Sequence, residues 1–509
     1  MKLNYKRTLF VGFAFFLICV FWQAYDTIVP KILTDKFGLS QSLSGVVMAF
    51  DNVLALFLLP LFGALSDRSR SRHGKRTPFI VIGTLVAAVL LVSLSLADNA
   101  QLKRIEAVSK VDDPAALAVL YEEAADLPIT VDGERVNVRD LFTEEEFTAI
   151  RSDDKDTDHY TKYVVPTRQA YARAATAASS APLIIFVAFL FFLLVSMGTF
   201  RSPAVALMPD VTPKPLRSKA NAIINLMGAV GGIVVLGLGA LFGTGKPVNA
   251  LMSYTTFFGV VAAIMVACLV VFLLKVREPK FAAECEEISR ANGMAEDESG
   301  NAEKTKRLSR AELRSLVLIL ASVVLWFMGY NAVTSKYSVY AGSVLALDYN
   351  MTLMIAQGAA IVSYIPIGIV SSKIGRKKTL LAGIVFLATA FFAASFMRAG
   401  SSPLVMNILF ALAGIGWATI SVNSYPMVVE LSTGANVGRY TGFYYTASMA
   451  AQTLTPILSG ILMDKVSMTA LFPYATVFVA LAFATMLFVK HGDSKPVKKT
   501  DLLEQLDVE

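Results

Sequence analysis

The chain has 509 residues, yet only three cysteines, three histidines and three tryptophans, and only 17% of its residues are charged. Each scarcity excludes something. Cys19 and Cys268 fall in apolar runs and Cys285 in a charged stretch, so no disulfide framework is expected and all three read as free thiols. His73, His159 and His491 lie in loops or tails, which excludes a histidine proton relay inside an apolar span. In "GALFGTGK" the glycine spacing of a phosphate-binding loop fails and Pro247 stands where Ser or Thr is required, which argues against an ATP-driven pump. Neither a catalytic triad nor a metal-ligand set appears, so the chain does not read as an enzyme and no cofactor is expected. A soluble domain averages about 25% charged residues, and this chain falls well below that.

What is abundant is apolar sequence: 55% of residues, with a mean hydropathy of +0.58. Stretches of about 20 apolar residues, each enough to cross roughly 30 Å of hydrocarbon, recur along the chain. Twelve candidate spans lie near 8–32, 41–64, 77–97, 182–208, 217–243 and 252–275, then near 313–336, 347–371, 379–397, 403–425, 439–463 and 470–490. The fold class is therefore an all-α membrane protein, with residues 1–276 as one six-helix bundle and 313–490 as a second. A polar linker, flexible by composition, fills 277–312, and residues 491–509 form a tail. The first span lacks a small-residue cleavage site and continues into "FWQAYDTIVP", so it reads as a retained helix rather than a signal peptide.

Basic residues set an expected orientation. Lys2, Lys6, Arg7, the run from Arg68 to Arg76, "KPLRSK", the linker, "SKIGRKK" and "KPVKK" all fall on one side, which the positive-inside rule assigns to the cytoplasm of a cell membrane, with both termini inside. The net charge of +7 does not indicate nucleic acid, because its basic residues flank spans. Residues 98–181, between spans 3 and 4, differ: they carry 17 acidic and 10 basic residues, while the rest of the chain is +14. "QLKRIEAVSK" and "PAALAVLYEEAADL" read as helical, "TEEEF" at Thr143 as a capping box and "VDGERV" as a turn between short extended pieces, giving a small folded cap on the outer face. "DDKDTDHY" resembles the start of a calcium loop, but His159 and Val165 occupy the glycine and final acidic positions, so a solvated acidic loop is the expectation.

An internal repeat ties the halves together. Gly63, Ser66, Gly74, Lys75, Arg76 and Thr77, between spans 2 and 3, are echoed by Gly368, Ser371, Gly375, Arg376, Lys377 and Thr379, between spans 8 and 9. Repeated six-span units mark secondary transporters, in which one bundle rocks against the other. "GALSDRSRSRHGKR" supplies a Gly, an Asp-Arg pair and a Gly-Lys-Arg tract, and so resembles the cytoplasmic loop of the major facilitator superfamily. The resemblance implies that Gly63, Asp67, Arg68, Gly74 and Arg76 form a conformational latch, with the charged residues contacting neighbouring helix ends and holding the outward-facing state. Ser372 replaces the Asp in the second copy. "GLSQSLSGVVMAFDNVLALFLLPLFGALSDRSRSRHGKRTPFI", "RSPAVALMPD" and "RSKANAIINLMGAVGG" further resemble the sucrose-transporter group and the related glycoside–pentoside–hexuronide cation symporters. Plant members of that group carry an Arg two residues after the proline of the fourth-span motif. Val205 stands there, leaving Arg201 as the nearby replacement.

Ionisable groups inside a bilayer cost roughly 2.5–3.5 kcal/mol each at a helix centre and usually serve function. Asp51, nine residues into span 2, is the expected ion-coupling group: a carboxyl in an apolar wall can take a proton on one side and release it on the other. A plain bond to Asn52 is the structural alternative. Asp26, near Pro30 in span 1, is the second coupling candidate, and sodium is the alternative ion. Arg201 either pairs with Asp210 or binds substrate. Sugar binding needs hydroxyl-bonding groups and aromatic faces, and these share helical stripes: Trp22 and Tyr25 with Asp26, Trp326 with Tyr330 and Asn331, Gln357 with Tyr364, Trp417 with Ser421, and Tyr445 with Ser448 and Gln452. With Asn52 and Arg201 these form the candidate substrate set. The expected function is proton-coupled import of a sugar, a disaccharide or related glycoside, by a monomer whose partners are that sugar and membrane lipid. The rival readings are a proton-driven exporter of drugs or metabolites and a non-transporting receptor that binds a partner through the cap.

Overall fold

A computed structural model describes residues 3–131, 134–152, 157–213, 217–291, 309–431 and 437–493. Twelve long helices among them match the expected spans: Tyr5–Lys36, Gln41–Arg68, Thr77–Arg104, Ala181–Asp210, Arg217–Phe242 and Thr255–Lys275, then Arg310–Leu345, Tyr349–Ile374, Arg376–Ala394, Pro403–Val429, Val437–Lys465 and Leu471–Leu487. These are spans 1 to 12 below. Ten are long and apolar enough to cross a membrane. Spans 8 and 11, with 26 and 29 residues, exceed the roughly 20 needed, and both carry polar side chains at the seam between the bundles.

Several helices outrun their hydropathy windows. Span 1 continues past Pro30 through a π-helical turn, Ile32–Lys36. Span 3 runs to Arg104, and span 7 passes Lys336 to end in a second π turn, Ala341–Leu345. A hydropathy window stops at a charge, but Lys36 and Lys336 are fully buried with partners, so the helices continue through them. The linker also departs from expectation. Glu278–Ala291 is a helix packed against the first bundle: Arg7 donates to the Glu284 carboxylate at 2.8 Å and to the Phe281 carbonyl at 2.7 Å. Residues 292–308 and the tail beyond 493 lie outside the described residues.

The two bundles repeat one packing scheme. Spans 1·5, 3·4, 2·4, 3·6 and 1·6 pack in the first; 7·11, 9·10, 8·10, 9·12 and 7·12 pack in the second. Each bundle has its own apolar core. Across the seam, spans 2·11, 5·8 and 1·7 meet. The repeat extends to loop chemistry. Gly74 (φ +112°) and Gly375 (φ +96°) both occupy the backbone region that a Cβ disfavours. Beside each, an acid from the segment after the bundle's sixth span caps the amino end of its third. The Glu278 carboxylate accepts from the amides of Arg76 and Thr77, and the Asp493 carboxylate from the amide of Lys377 at 3.2 Å. A cation then reaches an acid at the end of the fourth span in each bundle: Arg76 to Asp210 at 2.7 Å and Arg376 to Glu430 at 2.9 Å.

The segment between spans 3 and 4 folds around a core of its own that includes Leu117, Leu120, Phe147, Tyr160 and Val164. It holds the helix Pro114–Ala124, strands Ile129–Val131 and Glu134–Val136 paired antiparallel, Glu144–Ala149 opened by the Thr143–Glu146 capping box, and Val165–Ala178. The turn residues 132–133 and residues 153–156 of the calcium-like stretch lie outside the described residues. This cap is fastened to the first bundle. Beneath it Lys36 of span 1 and Asp98 of span 3, both without solvent exposure, pair at 2.6 Å, and the Gln101 amide of span 3 donates to the Lys36 carbonyl and to Thr176 of the cap, each at 3.0 Å. Gly38 (φ +63°) lies so close to the backbone of Gln169 and Arg173 that a Cβ there would overlap them. The cap also touches the second bundle, where Tyr160–Val164 packs on Ala341–Leu345.

Candidate functional site

Spans 1, 2, 4, 7 and 11 surround a central cavity of about 170 Å³. Its wall brings together Trp22 and Asp26 of span 1, Met48, Asp51 and Asn52 of span 2, Arg201 of span 4, Asn331, Thr334 and Ser335 of span 7, and Gln452 and Pro456 of span 11. Seven of the residues expected from sequence therefore converge, although they lie up to 430 positions apart in the chain. The i, i+4 spacing of Trp22 and Asp26 aims both inward from span 1. Asp51 and Asn52 stand one turn below Met48 on the face of span 2 that meets span 11.

The charges are arranged without being quenched. The Asn52 amide donates to Asp51 Oδ1 at 2.8 Å, so the structural alternative raised for Asp51 is present, yet the carboxylate still lines the cavity. Asp26 has no hydrogen-bond partner among the described residues. The Arg201 guanidinium lies 5.2 Å from the Trp22 ring centroid, within cation–π range. It faces both carboxylates electrostatically but pairs with neither within 4.0 Å. The expected alternative of an Arg201–Asp210 pair is overturned: Asp210 is held by Arg76 at 2.7 Å. Two buried donors on the cavity residues, Trp22 Nε1 and Asn331 Nδ2, also lack partners. A buried polar group left unpaired costs about 1–3 kcal/mol, so these two donors are open to an acceptor that enters the cavity.

The remaining expected residues lie elsewhere. Tyr25 is buried behind Trp22, edge-on at 5.3 Å, in the first bundle's core. Tyr330 stacks flat on Trp417 at 3.6 Å between centroids, and Ser421 bonds back to the Trp417 carbonyl. Trp326 is fully buried. Gln357 crosses the seam to donate to Gln23 at 2.5 Å, a residue that sequence reasoning missed. Tyr364 and Tyr445 are 40% and 55% exposed, on the halves of spans 8 and 11 that run toward the face bearing the termini. Met48, Thr334, Ser335 and Pro456 were also missed. The only available signal was helical register, since Thr334 and Ser335 follow Asn331 by three and four positions.

At the face bearing the termini, Arg76 gathers the ends of three helices. It pairs with Asp67 at 2.5 Å and with Asp210, and it bonds to Ser66 Oγ and weakly to the Gly63 carbonyl at 3.5 Å. Gly74 leaves room for Glu278, which a Cβ would strike. Arg68 departs from expectation: it is exposed and makes no described contact, because span 2 ends there with its side chain in solvent. The contacts of Arg76 all lie within the first bundle. Among the described residues, six hydrogen bonds join the bundles, in the middle and toward the cap: Gln357 to Gln23, Gln41 and Ser42 to Asp464, Lys336 to Gln41, and Tyr349 and Asn350 with Thr244.

The Major Facilitator Superfamily model matches residues 170–424 and 349–506, and an MFS/sugar transport protein model matches residues 10–101. The putative glycoside/cation symporter YagG of Escherichia coli (strain K12) is 37% identical over 71 residues, which are 14% of this chain and 15% of that protein. Proton-associated sugar transporter A of Homo sapiens is 36% identical over 103 residues, 19% of this chain and 14% of that one. These relatives are thus matched over under a fifth of their own length. The inward-open xylose transporter XylE from E. coli shares 14% identity over 99% of both chains, with a TM-score of 0.57.

Proposed function

The chain belongs to the major facilitator superfamily, and we propose that it is a proton-coupled symporter that carries a sugar inward by alternating access. The observation that carries this reading is the central cavity, where two carboxylates outside any ion pair, one arginine and two unpaired donors share a space between two bundles. Arg201, Asn331 and Gln452 offer donors to hydroxyl oxygens, Trp22 offers a ring face, and Asp26 and Asp51 accept. The names of the matched relatives, a glycoside/cation symporter and a proton-associated sugar transporter, the sugar transport family matched by residues 10–101 and the glycoside resemblance of the second span support the cargo class. A disaccharide fits if its second ring extends from the cavity toward the exposed Tyr364 and Tyr445.

The basic loops and both termini face the cytoplasm in this reading, and the cap faces outward. Among the described residues the seam is bonded toward the cap, and this supports reading the described state as open inward. Protonation of Asp51 from outside would remove one charge from the cavity, and its release inside would return the empty carrier. The Arg76 cluster would hold the first bundle rigid during rocking.

Vesicles containing the protein are expected to take up protons together with sugar, so that adding the right member of a sugar panel alkalinises a weakly buffered medium. A pH electrode checks this. Uptake with sodium but no proton movement would reassign the ion; no response to any sugar, with extrusion of drugs on expression, would favour the exporter.

A further inference from the structure

Two charged residues outside the central cavity have no role in the reading above. Lys336 of span 7 is fully buried, and its ammonium donates to the Gln41 carbonyl at 2.6 Å. Asp464 of span 11 accepts from the amides of Gln41 and Ser42, both at 2.7 Å, one on each carboxylate oxygen. Gln41 is the first residue of span 2, so two opposite charges of the second bundle grip both backbone polar groups of one residue of the first. The carboxylate lies at the positive end of the span 2 dipole and satisfies amides that a helix leaves unpaired. The approach is as close as backbones allow: a Cβ on Gly45 would overlap the Pro456 carbonyl, and one on Gly460 the Gln41 carbonyl. Gln41 and Asp464 also line a cavity of about 470 Å³ roofed by Thr161, Gln169 and Arg173 of the cap, so the grip is approached from the cap face.

We infer that Lys336 and Asp464 form the cap-side latch that keeps spans 2 and 11 closed in the described state. The inference rests on alternating access but on no particular cargo or ion. Spans 7 and 11 pack in the same bundle, and both groups meet on the backbone of the one residue Gln41. When span 2 withdraws, the two residues can compensate each other, so neither is left as a buried lone charge, which would be costly. The latch thus has a partner set for each state.

The test uses the full-length protein in detergent, with Cys19, Cys268 and Cys285 replaced by alanine and one reporter cysteine added. Ser44, a fully buried residue on the Gln41 face of span 2, is the reporter, and a water-soluble maleimide is the probe. Ser44→Cys alone is expected to label slowly. Adding Asp464→Asn or Lys336→Gln is expected to speed labelling about tenfold, the factor for losing one charge-assisted hydrogen bond; Asp464→Glu restores the slow rate. Ser322→Cys, fully buried between spans 7 and 12, controls for general loosening and is expected to stay unlabelled in the same backgrounds. Equal Ser44 labelling with and without the latch residues would overturn the inference. So would parallel acceleration at Ser322, which would mark the pair as merely structural. Because no sugar is needed, failure here is distinguishable from failure of the transport reading.

Discussion

Vesicles carrying Asp51→Asn are expected to equilibrate sugar across the membrane without concentrating it. One elementary charge crossing 100 mV supplies about 2.3 kcal/mol, which corresponds to roughly a 50-fold concentration ratio. If Asp51 carries the coupling proton, that ratio falls to about one in the variant, while exchange of labelled for unlabelled sugar continues. The amide keeps the shape of the side chain and its contact with Asn52, so what is lost is the proton and not the cavity. Accumulation ratios at an imposed membrane potential of about 100 mV, with sugar counterflow measured on the same vesicles, check this. Full accumulation by Asp51→Asn would move the coupling role to Asp26, which shares the cavity and has no hydrogen-bond partner among the described residues. Loss of counterflow as well would mean that Asp51 holds cargo instead.

The second large effect is on folding. Lys36 and Asp98 pair at 2.6 Å with neither side chain exposed, and Lys36 also lies 4.5 Å from the Tyr254 ring centroid. Removing one member of a buried pair leaves the other charge uncompensated, at a cost of about 3–5 kcal/mol. Asp98→Ala is therefore expected to lower the melting temperature sharply and to reduce the amount of folded protein recovered. The pair is not ideal, since Asp98 Oδ1 has no partner. Replacing both residues, as Lys36→Met with Asp98→Leu, is expected to recover most of the loss. Melting curves of the single and double variants in detergent check both statements. A double variant no better than Asp98→Ala would mean that the bonds around Gln101, which anchor the same corner, need the charges in place.

Much of this architecture was legible from composition and repetition. Long apolar runs require helices that satisfy their own backbone, so the spans and their division into halves were readable without any contact information. The capping box at Thr143 was readable because its two hydrogen bonds are local. That Asp26, Asp51 and Arg201 are functional candidates was accessible through the cost of burying charge; that they share one cavity was not. Other features were not. Lys36 and Lys336 sit near span ends, where lysines usually reach water along their stems, and only the fold shows that they turn inward. Gln41 and Asp464 are 423 positions apart, and no local pattern links them. Helical spacing placed Tyr330, Trp417 and Tyr445 on common stripes with polar residues but could not tell which stripe lines the cavity wall; Tyr330 and Trp417 stack on one another, and Tyr445 lies exposed on the half of span 11 toward the face bearing the termini.

The cap is fastened to one half through spans 1 and 3 and also rests on the end of span 7 in the other. Any relative tilt of the halves must therefore slide Tyr160–Val164 across Ala341–Leu345. An antibody fragment that clasped both segments at once would act as a splint, arresting the carrier from outside the lipid without ever entering its permeation path.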